Sequence, residues 1–208
     1  MRQVVLQKDE KRVIPVLLDR DDLPSYSSSE AKRSREVSYK GESSPQGRTI
    51  NERIDVILSG ENAEIEVVGL VLGKQADQKA LEVYITHAAP GTKSKVNVRA
   101  VLRNKSTFAF RGNVKIEKGA KGADAYLRSD ALLFDDAKMG DDTPALEILE
   151  RDVKAGHAAT IGKVDEQMLF YLMSRGISRN QAEKLLIEGF VNPVADKIKF
   201  YTNGSSKN

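Results

Sequence analysis

Apolar and polar residues alternate in short runs along much of this chain, which predicts a protein built mainly from β-strands. Residues 3–18 form two such runs, QVVL and VIPVLL, around the charged turn QKDEKR. Between Ile54 and Gly162 short alternating runs follow one another quickly, as in Leu81, Val83 and Ile85. No long helical pattern interrupts this stretch, which excludes ordinary β-α-β winding.

Three β architectures fit this pattern: a sandwich, a barrel or a stacked β-solenoid. No fixed repeat length is visible in the apolar positions, so periodicity alone does not choose among them. Aromatic residues make up only 6% of the chain, and small Val and Ala side chains alternate with charges. This composition slightly favours a solenoid, whose interior is filled by small residues.

After Gly162 the period becomes helical. Asp165 is placed to cap a first helix, and Gly176 is placed to end it. An S-x-x-Q capping box at residues 178–181 predicts the start of a second helix. Gly189 is expected to end that helix, and Pro193 to begin a third, short one.

Composition divides the chain into four expected segments. The second is rich in Ser and charge and has no sustained apolar period, which predicts an exposed loop or linker. The segments are N-terminal strands at 1–18, this loop or linker at 19–49, a β core at 50–162 and a C-terminal helical region at 163–208.

Charge and residue usage exclude several function classes. The net charge of +3 comes from 33 basic and 30 acidic residues without the clustered basic face typical of nucleic-acid binding. The absence of cysteine excludes disulfides, thiolate metal sites and a cysteine nucleophile. The N-terminus lacks the apolar run of a signal peptide, and no segment approaches the roughly 20 apolar residues of a membrane span. The cytoplasm is therefore the expected compartment.

Few residues are candidates for chemistry. His157 lies among small residues in KAGHAAT, where a metal or partner can approach it, although composition alone favours a structural role at a tight turn. His87 closes a strand and is expected to be structural. Two histidines without cysteine or an H-E-x-x-H motif do not make a dedicated zinc site. The pairs Asp135/Asp136 and Asp141/Asp142 are typical of turns and are not expected to be catalytic.

A phosphate-binding loop is also excluded. The stretch from Gly156 to Lys163 has five residues between its glycines, where a Walker loop requires four, and Val164 follows the lysine.

The stretch TPALEILERDVKAGHAATIGKVDEQMLFYLMSRGIS resembles the SufB/SufD family of iron–sulfur cluster assembly proteins. The family pattern has P-x-L-E-I, then D-V-K-C-S-H-G-A-T-x-G, then L-F-Y-L-x-S-R-G-I. An earlier stretch, residues 86–134, is similar to preceding coils of the same proteins, and details around the histidine favour SufD over SufB. The resemblance implies a mainly β fold, a right-handed parallel β-helix with a small C-terminal helical domain.

The resemblance also implies a function and partners. It indicates a non-enzymatic assembly subunit that pairs with a SufB-type β-helix protein and docks a SufC-type ATPase through its C-terminal helices. No stably bound cofactor is implied, only a transient iron–sulfur cluster at the partner interface. His157 matches the family histidine at that interface and is a candidate cluster ligand. The candidate ATPase-docking residues are Phe170, Tyr171, Arg175, Gly189 and Phe190.

Two departures from the family pattern limit these expectations. Ala155 stands where the family has cysteine, so this chain supplies no thiolate to a cluster. The chain is also much shorter than typical members, which suggests either a minimal, self-pairing homologue or trimmed N-terminal coils. The alternatives are a carbohydrate-active β-helix enzyme, disfavoured by the few aromatics, and a stand-alone homodimeric scaffold.

Overall fold

The computed structural model describes residues 1–18 and 49–204 of this chain, and side chains to residue 202. This part contains ten strands and two helices. In chain order they are β1 (Arg2–Leu6), β2 (Lys11–Leu18), β3 (Thr49–Leu58), β4 (Glu64–Gly73), β5 (Gln78–His87), β6 (Lys93–Leu102), β7 (Thr107–Ile116), β8 (Ala123–Leu133), β9 (Lys138–Ile148), β10 (Val153–Lys163), α1 (Glu166–Ser174) and α2 (Arg179–Gly204).

The strands form a parallel β-solenoid. Odd-numbered strands make one five-stranded sheet, ordered β1-β3-β5-β7-β9, and even-numbered strands make the other, ordered β10-β8-β6-β4-β2. Every described pairing is parallel and joins strands two elements apart, so each coil adds one strand to each sheet. The expected fold class, a mainly β parallel helix with C-terminal α-helices, is confirmed. We call the odd-numbered sheet A and the even-numbered sheet B.

The N-terminal strands are the first coil of this solenoid, because β1 pairs with β3 and β2 pairs with β4. The Ser- and charge-rich segment predicted at 19–49 lies outside the described residues except for Thr49, which begins β3.

One set of corners between the sheets is marked by residues with left-handed backbone conformation. Gln75, Asn104 and Asp135 have φ angles of 52°, 59° and 54° at equivalent positions of successive coils. The Oδ1 of Asn104 accepts a hydrogen bond from the Gln75 N–H at 3.0 Å, and the Asn104 N–H donates to the Asp135 carboxylate at 2.9 Å. Asn and Asp tolerate this conformation better than most residues. The separation of these corner residues along the chain is the length of one coil, a repeat that the apolar pattern does not show.

The space between the sheets is filled by columns of apolar side chains in register. Phe108, Phe110 and Leu127 are fully buried there. His87 lies in such a column between Leu58 and Ile116 and is itself fully buried. Its Nδ1 is 2.8 Å from the Thr92 hydroxyl and its Nε2 is 2.8 Å from the Ser94 hydroxyl. Burial lowers the pKa of His87 to about 4, so the imidazole is neutral, in the structural role expected for it.

The outer face of sheet B is covered by α2. The contact is a second apolar cluster, separate from the solenoid interior. Its buried members are Leu17, Val68, Leu70, Val101, Phe134, Val191, Val194, Ala195 and Ile198.

The prediction that Gly189 ends the second helix and that Pro193 begins a third is wrong. Both residues lie inside α2, which runs without a break to Gly204. The residues that follow Gly189 keep a helical spacing of buried positions, Val191, Val194 and Ile198, against sheet B. Burial of this apolar face stabilises the helix across two poor helix formers, an example of tertiary packing overriding local propensity.

Candidate functional site

The last coil forms an open end of the solenoid. Strands β9 and β10 each lie at the edge of their sheet, with no further described strand beside them. Inward-facing side chains of this coil are consequently exposed or only partly buried, whereas the equivalent residues of earlier coils are buried. Ile148 and Ile161 are 44% and 50% exposed, for example. We refer to this surface as the open end.

His157 lies at the open end, on the interior face of β10. It is in register with the buried Leu127, and Ala155 is in register with the buried Ala125. Side chains of paired residues in a sheet point to the same face, so both project into the mouth of the solenoid. His157 is nevertheless exposed, because no described coil covers it. The structure places this residue in a β-strand rather than in the tight turn that composition favoured.

Asp142 also points into this mouth, which sequence reasoning did not anticipate. Asp141 and Asp142 lie inside β9 and not in a turn. Asp142 is in register with the buried Phe110, and both its carboxyl oxygens are buried. Burial raises its pKa, and neither oxygen has a hydrogen-bond partner among the described residues. A register slip between Phe108 and Phe110 turns Asp142 towards the interior and Asp141 towards the outer face. The alternation of residues along the sequence does not reveal this slip.

The outer face of sheet A carries a ladder of ion pairs. Arg111 binds Asp141 at 3.0 Å and Glu82 at 3.5 Å, and Arg53 reaches Glu82 at 3.8 Å. Hydrogen bonds from Thr143 and Arg111 lower the pKa of Asp141. These carboxylates are neutralised by arginines on an open face, which does not resemble a paired general acid and base in a cleft.

The two edges of the open end differ in their capacity to pair with another strand. The Leu149 N–H donates to the Ile116 carbonyl, so by alternation the nitrogen of Pro144 on β9 faces the free edge and offers no donor. The register slip of β9 further disrupts that edge. At the opposite end of the solenoid, Pro15 faces the free edge of β2 in the same way, because the Glu10 carbonyl accepts from β4.

Strand β10 has none of these protections. The Val164 N–H donates to the Leu133 carbonyl of β8. Because backbone groups alternate in direction along a strand, the N–H and C=O groups of Ala155, His157, Ala159 and Ile161 point away from β8, towards the free edge. This strand has 11 residues, no proline, and charged residues only near its ends. A long, unprotected edge of this kind is a template for pairing with another strand.

A second candidate surface lies on the helical hairpin formed by α1 and the first part of α2, residues 166–188. The predicted Asp165 cap is confirmed, since its carboxylate accepts from the Gln167 N–H at 2.8 Å. In α1 only Leu169 is buried, while Phe170 is 73% and Tyr171 is 53% exposed.

Other exposed apolar side chains, Met168, Met173 and Leu185, extend this hairpin surface. The Arg175 guanidinium lies 5.2 Å from the centre of the Tyr171 ring. The structure thus brings three of the five predicted docking residues together, Phe170 and Tyr171 on α1 and Arg175 at its C-cap.

The remaining two predicted docking residues have different surroundings. Gly189 is exposed in the middle of α2. Phe190 is half-buried against sheet B, where Arg99 donates a hydrogen bond to its carbonyl and lies 5.2 Å from its ring centre. The side chain of Phe190 therefore contacts the solenoid in this structure.

Within residues 1–18 and 49–204, no group of three or more His, Asp or Glu side chains is arranged to hold a metal ion. Over the same residues, no helix combines the length and apolar character needed to cross a bilayer.

Comparisons with known proteins identify relatives of this chain. A family model described as the SufBD core domain of SUF system FeS cluster assembly matches residues 24–190. The chain is 36% identical over 143 residues, 69% of its length, to an iron–sulfur cluster assembly SufBD family protein of Mycobacterium bovis. It is 36% identical over 152 residues to the iron–sulfur cluster assembly protein SufD of Bacillus subtilis, and 31% identical over 142 residues to SufB of the same organism.

These matches cover 73% and 68% of this chain for the SufD and SufB proteins. They span only part of the relatives, 17% of the Mycobacterium protein and 35% and 30% of the Bacillus SufD and SufB proteins. The family match extends over most of the solenoid and through the helical hairpin. The chain belongs to the SufBD core-domain family of the SUF iron–sulfur cluster assembly system.

Proposed function

We propose that this chain is a SufD-like, non-enzymatic assembly subunit that pairs with a SufB-type solenoid and docks a SufC-type ATPase. The observation that carries the pairing is the unprotected edge of β10. Its free N–H and C=O groups belong to the same residues, including His157, whose side chains occupy the open end. A strand added at this edge would cover His157 and the exposed Ile161 together.

The SufD-like assignment is supported by 36% identity to a SufD protein against 31% to a SufB protein. Ala155 stands where the family pattern has cysteine, so this chain supplies an imidazole and no thiolate. We propose that His157 contributes to a cluster held transiently at the pairing interface, as cargo assembled with groups of the partner. The expected compartment is the cytoplasm.

The ATPase-docking role is supported by the exposed apolar surface of the α1–α2 hairpin. An exposed Phe and Tyr on one short helix, with two flanking Met side chains, are typical of the buried centre of a protein interface. The hairpin and the β10 edge are separate surfaces, so a solenoid partner and an ATPase can bind the same subunit.

The pairing is tested by anaerobic co-expression with SufB-type and SufC-type proteins, followed by mass determination of the purified complexes. Ala159→Pro removes an N–H that faces the free edge and leaves the ladder to β8 intact, so it should abolish pairing. Val5→Pro makes the same change on the free edge of β1 and should leave pairing unchanged. If the Ala159→Pro chain pairs as well as wild type, the β10 edge is not the pairing surface. A complex containing only copies of this chain would support the homodimeric scaffold instead.

The cluster role is tested in the same complexes by iron and sulfide content. His157→Ala should keep the complex and reduce its cluster content. If both are unchanged, His157 is not a ligand, whereas the scaffold function is unaffected.

A further inference from the structure

The centre of α2 contains a weak turn. Pro193 has no N–H to donate to the Gly189 carbonyl, and its ring crowds that carbonyl. A Cβ added at Gly189 would meet nothing within 4 Å, so packing does not require glycine there. Glycine and proline are the two poorest helix formers, and here they stand at positions i and i+4 of one turn.

The two halves of α2 are attached to the solenoid by different kinds of contact. After Gly189, the inner face consists of Val191, Val194 and Ile198, each no more than 3% exposed within the apolar cluster on sheet B. Before Gly189, Ile187 is only partly buried, and Glu183 pairs with Arg103 of the solenoid. Glu183 is itself largely buried, but its partner Arg103 is 42% exposed to solvent, so this attachment is expected to be weaker than the buried apolar contacts of the second half.

The first half of α2 is tied firmly to α1. Arg179 donates hydrogen bonds to Glu166 of α1 at 2.9 Å and to Glu183 of α2 at 3.1 Å. Leu169 of α1 and Ala182 of α2 are both buried. The hairpin at 166–188 is therefore held together by its own contacts.

Arg99 on β6 holds α2 at the weak turn itself, because its contacts are with Phe190. It donates a hydrogen bond to the Phe190 carbonyl and stacks near the Phe190 ring. Its Nε also lies 3.9 Å from the carboxylate of Asp130. Arg99 thus keeps an anionic partner when its contact with Phe190 is broken, which lowers the cost of releasing the helix.

We propose that residues 189–193 are a hinge on which the α1–α2 hairpin pivots relative to the solenoid, and that Arg99 is the latch that holds it closed. The biological meaning of this motion rests on the proposed docking of an ATPase at the hairpin. A partner that pulls on the hairpin can then move it while the second half of α2 stays anchored.

The hinge is measured on the isolated chain, without any partner. Because the sequence contains no cysteine, Lys95→Cys and Ser174→Cys introduce two unique sites for spin labels, one on β6 and one on α1. Arg99→Ala should add a population displaced by about 5 Å, the arc of a ten-residue helical arm rotated by roughly 20°. Arg99→Lys keeps a charge near Asp130 but loses the planar contact with Phe190, and should shift the distances in the same direction.

Adding Gly189→Ala and Pro193→Ala to the Arg99→Ala chain should restore a single distance, since the stiffened helix cannot pivot. Arg111→Ala, which removes an arginine from the far sheet, should change nothing. An unchanged distance distribution in both Arg99 variants would overturn the latch. Persistence of the second population in the stiffened chain would overturn the hinge and leave Gly189 and Pro193 as aids to helix curvature. If the ATPase does not bind the unmodified chain, the proposed docking is wrong, whereas the hinge is unaffected.

Discussion

The Nδ1 of His87 and the Oγ1 of Thr92 lie 2.8 Å apart across the corner between β5 and β6, inside the solenoid. The hydroxyl of Thr92 in turn donates to the Ala89 carbonyl at 2.9 Å. The hydrogen-bonding needs of a histidine in an apolar column are thereby met while its ring is neutral, and burial holds its pKa at about 4.

Stability should therefore fall with acid. A pKa of about 4 in the fold, against roughly 6.5 in the unfolded chain, means that the unfolded state binds more protons between these values. The stabilisation is fully present above pH 6.5 and is lost as the pH falls towards 4, by about 3 kcal/mol in total. Urea denaturation at a series of pH values measures this slope.

Two variants separate His87 from other acid-sensitive groups. His87→Leu, which matches the apolar neighbours Leu58 and Ile116, should flatten the slope over this pH range. His157→Leu is the matched replacement of the exposed histidine. Parallel slopes for wild type and His87→Leu would assign the acid sensitivity to other groups.

The corner at Asn104 should be sensitive to both conformation and hydrogen bonding. Asn104→Ala places a residue that tolerates the left-handed region less well than Asn at φ 59°, and it removes the acceptor for the Gln75 N–H. We expect a loss of about 1–2 kcal/mol in the free energy of unfolding. Asn104→Gly restores the conformational freedom and should lose less. Equal stability of the Ala variant and wild type would show that the corner ladder contributes little.

The same substitution should have opposite effects at two glycines. A Cβ on Gly112 would lie 2.2 Å from the Cδ1 of the buried Leu127, so Gly112→Ala should destabilise the chain by about 1–3 kcal/mol through overpacking. Gly189→Ala meets no neighbour and should stabilise α2 by about 0.5–1 kcal/mol. Thermal or urea unfolding measures the change in stability of both variants. A destabilised Gly189→Ala chain would mean that α2 needs glycine there.

The hairpin surface should be required for ATPase binding but not for folding. Phe170→Glu changes a side chain that is 73% exposed, so it should reduce co-purification of a SufC-type ATPase at least tenfold without lowering the unfolding midpoint. Arg175→Glu should weaken binding in the same assay. Phe200→Glu is the matched control, because Phe200 is 70% exposed near the other end of α2. Equal loss in all three variants would argue against a localised docking surface.

Local sequence signals predicted much of the secondary structure. Strand alternation, the Asp165 cap and the S-x-x-Q box are confirmed; the Ser178 N–H donates to Gln181 at 3.1 Å, as the box requires. These signals succeed because they depend on neighbours within a few residues. The coil repeat was missed, since its marker is the left-handed corner position and not the apolar pattern.

What the sequence determined by itself was the alternation of strands, the helix caps, the lack of any thiolate and the family resemblance. Only the tertiary structure decided that β10 is the unprotected edge, that Asp142 joins His157 at the open end, and that α2 continues through Gly189 and Pro193. These outcomes depend on which residues stack in register across coils about 30 positions apart and on apolar burial against sheet B. Neither long-range register nor that burial is encoded in a local pattern, so folding of the whole chain was needed to reveal them.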